Sequence, residues 1–154
     1  MGTSLVPSVI DALIAKASTA LPGATIYDGY GVSADPGDFL MIGVPDPEND
    51  AAAESGSTQQ DWANLGAHDR SEVGTIQCVA LSWNGNEDGQ KQARDAAYAM
   101  LSALESAIRA DVTLGGVPGL LWAGCPVDQT LRQNQIPAGV EAVLQFSVGF
   151  RGRI

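Results

Sequence analysis

Between residues 140 and 150 the chain alternates with a period of two. Val140, Ala142, Leu144, Phe146, Val148 and Phe150 hold the even positions, while Glu141, Gln145, Ser147 and Gly149 hold odd ones, with Val143 the exception. Successive side chains of a strand point to opposite faces, so this pattern dictates a strand with one face in a core. With the residues beyond it the run is far longer than the usual ~5–6 residues of a strand. It is therefore expected to bend at Gly149 or Gly152, or to run past the domain edge.

Such a strand needs partners. Residues 72–83 (EVGTIQCVALSW) read as a second long strand, with Ile76, Cys78 and Ala80 on one face and Val79, Leu81 and Trp83 on the other. Residues 38–44 (DFLMIGV) are apolar on both faces, as an inner strand requires. Residues 24–29 (ATIYDG) are β-branched and aromatic, and the segment between these two is turn chemistry. Residues 117–123 (VPGLLWA) give a short strand whose Pro118 marks an edge or a strand start.

Two segments carry a helical period instead. Over residues 4–20, Leu5, Val9, Leu13 and Ala17 recur every four residues, with Ser4 as expected N-cap and Pro7 in the first turn. Over residues 88–110, Ala93, Ala97, Met100, Leu101, Leu104, Ala107 and Ile108 form one stripe, and Gly115-Gly116 is read as the stop. Each helix has one apolar face and must lie on something. The order is α-β-β-β-α-β-β, and an α+β fold accommodates it: one twisted, mostly antiparallel sheet with two helices packed on one face. At 154 residues the chain is read as a single domain, residues 1–154. Internal repeats are not evident.

Residues 45–71 fit none of these patterns. They read as a long acidic loop, expected to be mobile in a free subunit because it has few apolar anchors, although 58–63 could extend the sheet by pairing with the next strand. Charge concentrates in and around it. Ten acids from Asp28 to Glu72 face one base, Arg70, giving that stretch −9 of the total −10. Such a surface repels phosphate backbones, so neither sequence reading of nucleic acid nor attraction to an anionic membrane is expected. No apolar run approaches the ~20 residues that span a bilayer, and the start lacks the basic and apolar regions of a secretory signal.

Motifs for chemistry are sparse. Asn84, Asn86, Asp88, Gly89 and Asp95 follow the spacing of a calcium loop, but Asn replaces the first Asp, Asp replaces the final Glu, and a strand precedes it. A capped β-to-α turn explains the same residues, so neither metal nor cofactor is expected. A calcium-binding module or small cytosolic enzyme using the 84–95 loop is the alternative of another class. His68 is the only histidine, Cys78 and Cys125 read as reduced buried thiols, and no Gly-x-Ser-x-Gly elbow or phosphate loop occurs. Catalytic residues are not assigned, and the chain is not expected to be an enzyme. Aromatic and Arg side chains favour interface centres. Trp62 either presents such a contact or folds back on its own domain, and Arg132 lies in a polar stretch (128–135, DQTLRQNQ) read as a solvated loop.

Several strings together resemble the tail terminator proteins of long-tailed bacteriophages. These are Ala80-Leu81-Ser82-Trp83-Asn84-Gly85, Ala93-Arg94-Asp95-Ala96-Ala97-Tyr98, Arg109-Ala110-Asp111 with Leu114-Gly115-Gly116, and Phe146-Ser147-Val148-Gly149-Phe150-Arg151. The opening amphipathic helix followed by Leu21-Pro22-Gly23 fits as well. The resemblance touches most of the chain outside the 45–71 loop. It implies a structural protein of the virion, made in the host cytoplasm, whose copies form a ring, expected to be a hexamer. The ring would cap the tail tube protein, end tail elongation and meet the head-tail connector protein. DNA would pass its lumen without specific binding. Another head-to-tail joining or tail completion protein is the alternative in the same class. The contact residues expected on this reading are Trp62, Arg70, Glu72, Arg132 and Glu141.

Overall fold

A computed structural model describes residues 2–48, 54–64, 68–125 and 128–154. The elements run α1 (Val6–Ala20), β1 (Thr25–Asp28), β2 (Gly37–Ile42), β3 (Gly56–Trp62), β4 (Arg70–Asn84), α2 (Gln90–Ala110), β5 (Leu120–Gly124), β6 (Gln129–Ile136) and β7 (Gly139–Arg153). The expected order is present, with β3 and β6 added to it. One mixed sheet holds all the strands: β1 pairs β2 in parallel, and every other pairing is antiparallel.

The two 15-residue strands, β4 and β7, lie side by side at the centre, from Ser71↔Arg153 to Asn84↔Val140. Each is flanked on its outer side by a strand broken in two. Along β4, β2 covers Cys78 to Trp83 and β3 covers Arg70 to Ile76. Along β7, β6 covers Gly139 to Phe146 and β5 covers Gly149 to Gly152. The exchange on β4 falls at Gln77. Its carbonyl accepts from Gly43 N and Val44 N (2.7 and 3.1 Å), and its N–H donates to Ser55 O (2.9 Å). Gly43, at φ +86°, supplies the left-handed turn that takes the chain out of the sheet there.

Both helices pack on one face, as the two stripes require. That face carries Leu40, Ile42, Ile76, Cys78, Ala80, Val140, Ala142, Leu144, Phe146, Val148 and Phe150. Against it α1 sets Val9, Leu13 and Ala17, and α2 sets Ala93, Ala97, Met100, Leu101, Leu104 and Ile108. Fully burying a Leu, Ile or Phe side chain contributes about 1.5–3 kcal/mol, so this layer carries most of the driving force.

Four local expectations need correction. β7 is not broken at its glycines. Gly152 is needed because a Cβ there would lie 2.3 Å from Leu5 Cδ1 and 2.5 Å from Gly119 O, so the glycine admits close packing and the strand continues to Arg153. The N-cap of α1 is Leu5 rather than Ser4, although Ser4 Oγ still accepts Val6 N (3.1 Å). Helix α2 stops at Ala110, before the glycines, and Asp111 holds the turn that follows. Its carboxylate accepts from Thr113 N, Thr113 Oγ1 and Gly115 N, and pairs with Lys16 Nζ at 2.9 Å. Finally, 45–71 is not loop throughout: residues 56–62 are β3, while 49–53 and 65–67 lie outside the described residues.

The Lys16 ammonium, then the Thr113 and Gly115 donors, hold the Asp111 carboxyl well below its ordinary value of 3.8. A lowered folded pKa stabilises the fold at and above the unfolded value, and that contribution is lost as pH falls through the folded one. Thermal melts of the wild type and Asp111→Asn should therefore differ most at neutral pH and converge in acid. A constant difference down to strongly acidic pH would contradict this assignment.

Candidate subunit interface

Among the described residues, the other face of the sheet has no helix over it. Its odd-numbered side chains on β4 and β7, including Val79, Leu81, Val143 and Gln145, are covered by described residues only in the middle. Residues 43–48 cross it there as a strap, and Val44 packs with Met41, Val79 and Val143. The strap is pinned by polar contacts. Gln145 Nε2 donates to Pro45 O (2.7 Å), Tyr30 OH to Asp46 O (2.8 Å), and Arg132 Nη2 to Asp46 Oδ1 (2.9 Å). The guanidinium, then the Glu48 backbone N–H, holds the Asp46 carboxyl below the usual aspartate range, and Asp46 in turn raises Arg132.

At each end of the strap the face is apolar and open. One end is a groove of about 270 Å³ lined by Tyr27, Val32, Phe39, Leu81, Trp83, Ile136 and Glu141, among others. Tyr27 and Phe39 stack in it at 6.2 Å, and Val32 stands 94% exposed on its rim. The other end is a shallow patch where Val73, Arg151 and Trp122 are neighbours across β4, β7 and β5. The Trp122 ring lies on Gly124, where a Cβ would meet it at 2.4 Å, and half of Trp122 remains exposed. Sequence reasoning missed this patch. The register of Trp122 against Arg151 on β7, past a bulge after Leu120, puts Trp122 on the face away from the helices.

The five expected contact residues divide. Trp62 closes β3 opposite Arg70 and is 70% exposed, so it does not fold back on its own domain. Arg70 Nη1 donates to Gln60 Oε1 (2.8 Å), and its backbone pairs with Ile154. Glu72 is the correction: it is fully buried and not on a surface. Its carboxylate accepts Leu5 N (2.6 Å), Ser4 Oγ (2.5 Å) and Gln60 Nε2 (3.3 Å), so it serves the N-terminus of α1. Arg132 lies on a strand rather than a solvated loop and is spent on the strap. Glu141 lines the groove and accepts Asn134 Nδ2 at 3.1 Å. Trp62 and Arg70 thus sit at one end of the sheet, and Arg132 and Glu141 toward the other.

Arg132→Ala should loosen the strap without unfolding the protein. The pair is about one third exposed, so about 1 kcal/mol or less is expected from its loss, with faster hydrogen exchange confined to residues 43–48. Unchanged exchange there would show that Gln145 and Val44 hold the strap alone.

The remaining polar candidates are engaged locally. Asn84 Oδ1 accepts Asn86 N (2.9 Å) and Asn86 Oδ1 accepts Asp88 N (3.1 Å), forming consecutive Asx turns, while Asp95 pairs with Lys91. Groups of three or more His, Cys, Asp or Glu able to hold a metal do not occur among the described residues. His68 is exposed. Burial raises the Cys78 thiol to about 12 and Cys125 to about 11, and no disulfide joins them. Among the described residues no helix is long and apolar enough to cross a membrane.

No protein-family model matches the chain, and a search of curated proteins finds no similar sequence.

Proposed function

We propose that this protein is the subunit of a self-associating ring that caps a bacteriophage tail tube, ends its elongation and offers a surface to the head-tail connector. The observation that carries the reading is the helix-free face, open and apolar at both ends. Exposed apolar patches mark interaction sites, and a face with two different patches suits repeated head-to-tail contact, which closes into rings when the rotation allows. The resemblance of the strings around Trp83, Ala93 and Phe146 to tail terminator proteins supplies the tail as the setting. The acidic stretch around Asp46 and Glu48 suits a channel through which DNA slides without adhering.

Electron microscopy and native mass spectrometry of the purified protein test the reading. Closed rings, expected to contain six copies, should form alone or on addition of tail tube protein. Monomers only, at high concentration and in the presence of tail tube protein, would overturn it.

A further inference from the structure

The two open ends of the helix-free face differ in charge as well as in shape. At the patch, Arg151 and Arg153 occupy alternate positions of β7 on that face, both exposed. Arg151 makes no side-chain hydrogen bond or ion pair among the described residues, and it stands between Val73 and Trp122. On this face Asp61 lies a strand further out, across Ser71. At the groove the sign reverses. Glu141 forms part of the wall, exposed Asp35 lies in the loop that carries Val32, and Glu48 lies beside it on the strap, its Oε1 3.3 Å from Asn134 Nδ2. The nearby base, Arg132, is already committed to Asp46.

We infer that the occupant of the groove is a second copy of this chain, docked through its patch, with Trp122 and Val73 entering the apolar groove and Arg151 meeting Glu141. This contact rests on the ring reading above and gives it a residue-level interface. The argument is complementarity. Each surface pairs an exposed apolar side chain with an excess of one charge, basic at the patch and acidic at the groove, and the two surfaces lie at opposite ends of one sheet. Two copies of the patch would set Arg151 and Arg153 against their own kind, and two copies of the groove would do the same with Glu141, so like-with-like docking is disfavoured. A contact between different patches on each copy propagates from subunit to subunit.

The test uses the full chain in analytical ultracentrifugation, with circular dichroism confirming the fold of each variant. Arg151→Glu and Glu141→Arg should each raise the concentration needed for assembly by ~10-fold or more, as central charged contacts do. An equimolar mixture of the two variants should assemble nearly as well as the wild type. In the mixture every junction regains one arginine and one glutamate, alternating around an even-numbered ring. Val32→Asp, at a site exposed enough not to disturb folding, should weaken assembly in the same way. If Arg151→Glu assembles like the wild type, this contact is wrong while the ring stands. If each variant weakens assembly but the mixture does not recover, the two residues do not meet, and the contact is again overturned. If the wild type never assembles, with tail tube protein or without it, the ring reading fails and the contact with it.

Discussion

Glu72→Ala is expected to destabilise the protein by about 3 kcal/mol, seen as a lower urea midpoint with an unchanged slope, because hydrogen bonds to charged groups contribute about 1.5–3 kcal/mol each. The carboxylate accepts both the Leu5 N–H and the Ser4 hydroxyl, and it sits where the partial positive charge of α1 is concentrated. Truncation leaves the Leu5 N–H buried without its acceptor. Glu72→Gln should fall between the wild type and alanine, since one oxygen becomes a donor. If Glu72 acted at a subunit contact instead, alanine would leave the monomer within about 0.5 kcal/mol of the wild type. The same titration therefore decides between the two roles.

Phe150→Ala should cost about 3–5 kcal/mol, the range for emptying a fully buried phenylalanine site. That is a large share of the roughly 5–15 kcal/mol that holds a domain folded. The ring lies on Gly74, directly across from it on β4, where a Cβ would come within 2.6 Å of Phe150 Cζ. It also lies beside Ala123 on β5. One aromatic thus fills space given up by two small neighbours on either side. Gly74→Ala should destabilise as well, by about 1–3 kcal/mol, since the added methyl overpacks the same spot. A loss below about 1 kcal/mol for Phe150→Ala would mean that the site collapses onto the smaller side chain, contrary to the close packing of protein interiors.

The parts of the fold legible in the sequence were those with one wet and one dry face. The alternation of β7 and the stripes of α1 and α2 are direct imprints of a core on one side. β6 was illegible because it lies on the rim of the sheet with Gln129, Gln133, Gln135 and Asn134 on it, so neither face imposes an apolar period. β3 was only half-legible for the same reason, as a possible extension of the sheet over 58–63. Glu72 misled for a different reason. A carboxylate near the start of a strand suggests the solvent side, yet 72 shares the register of Ile76, Cys78 and Ala80 and so faced inward from the outset. The patch around Trp122 depended on a bulge between Leu120 and Trp122, and local sequence does not fix the register beyond such an irregularity.

The central pairing of β4 with β7 sets a timetable for the nascent chain. Ser71 finds its partner in Arg153, and Glu72 in Gly152, so the middle of the sheet cannot close until the chain has been made and exposed as far as Arg153. Until then β4 has an apolar flank with no neighbour, and α1 and α2 have only part of the surface they rest on. Contacts so distant along the chain make for slow folding. During synthesis this polypeptide is exposed to aggregation for longer than a helical protein of its size, and overexpression should favour low temperature.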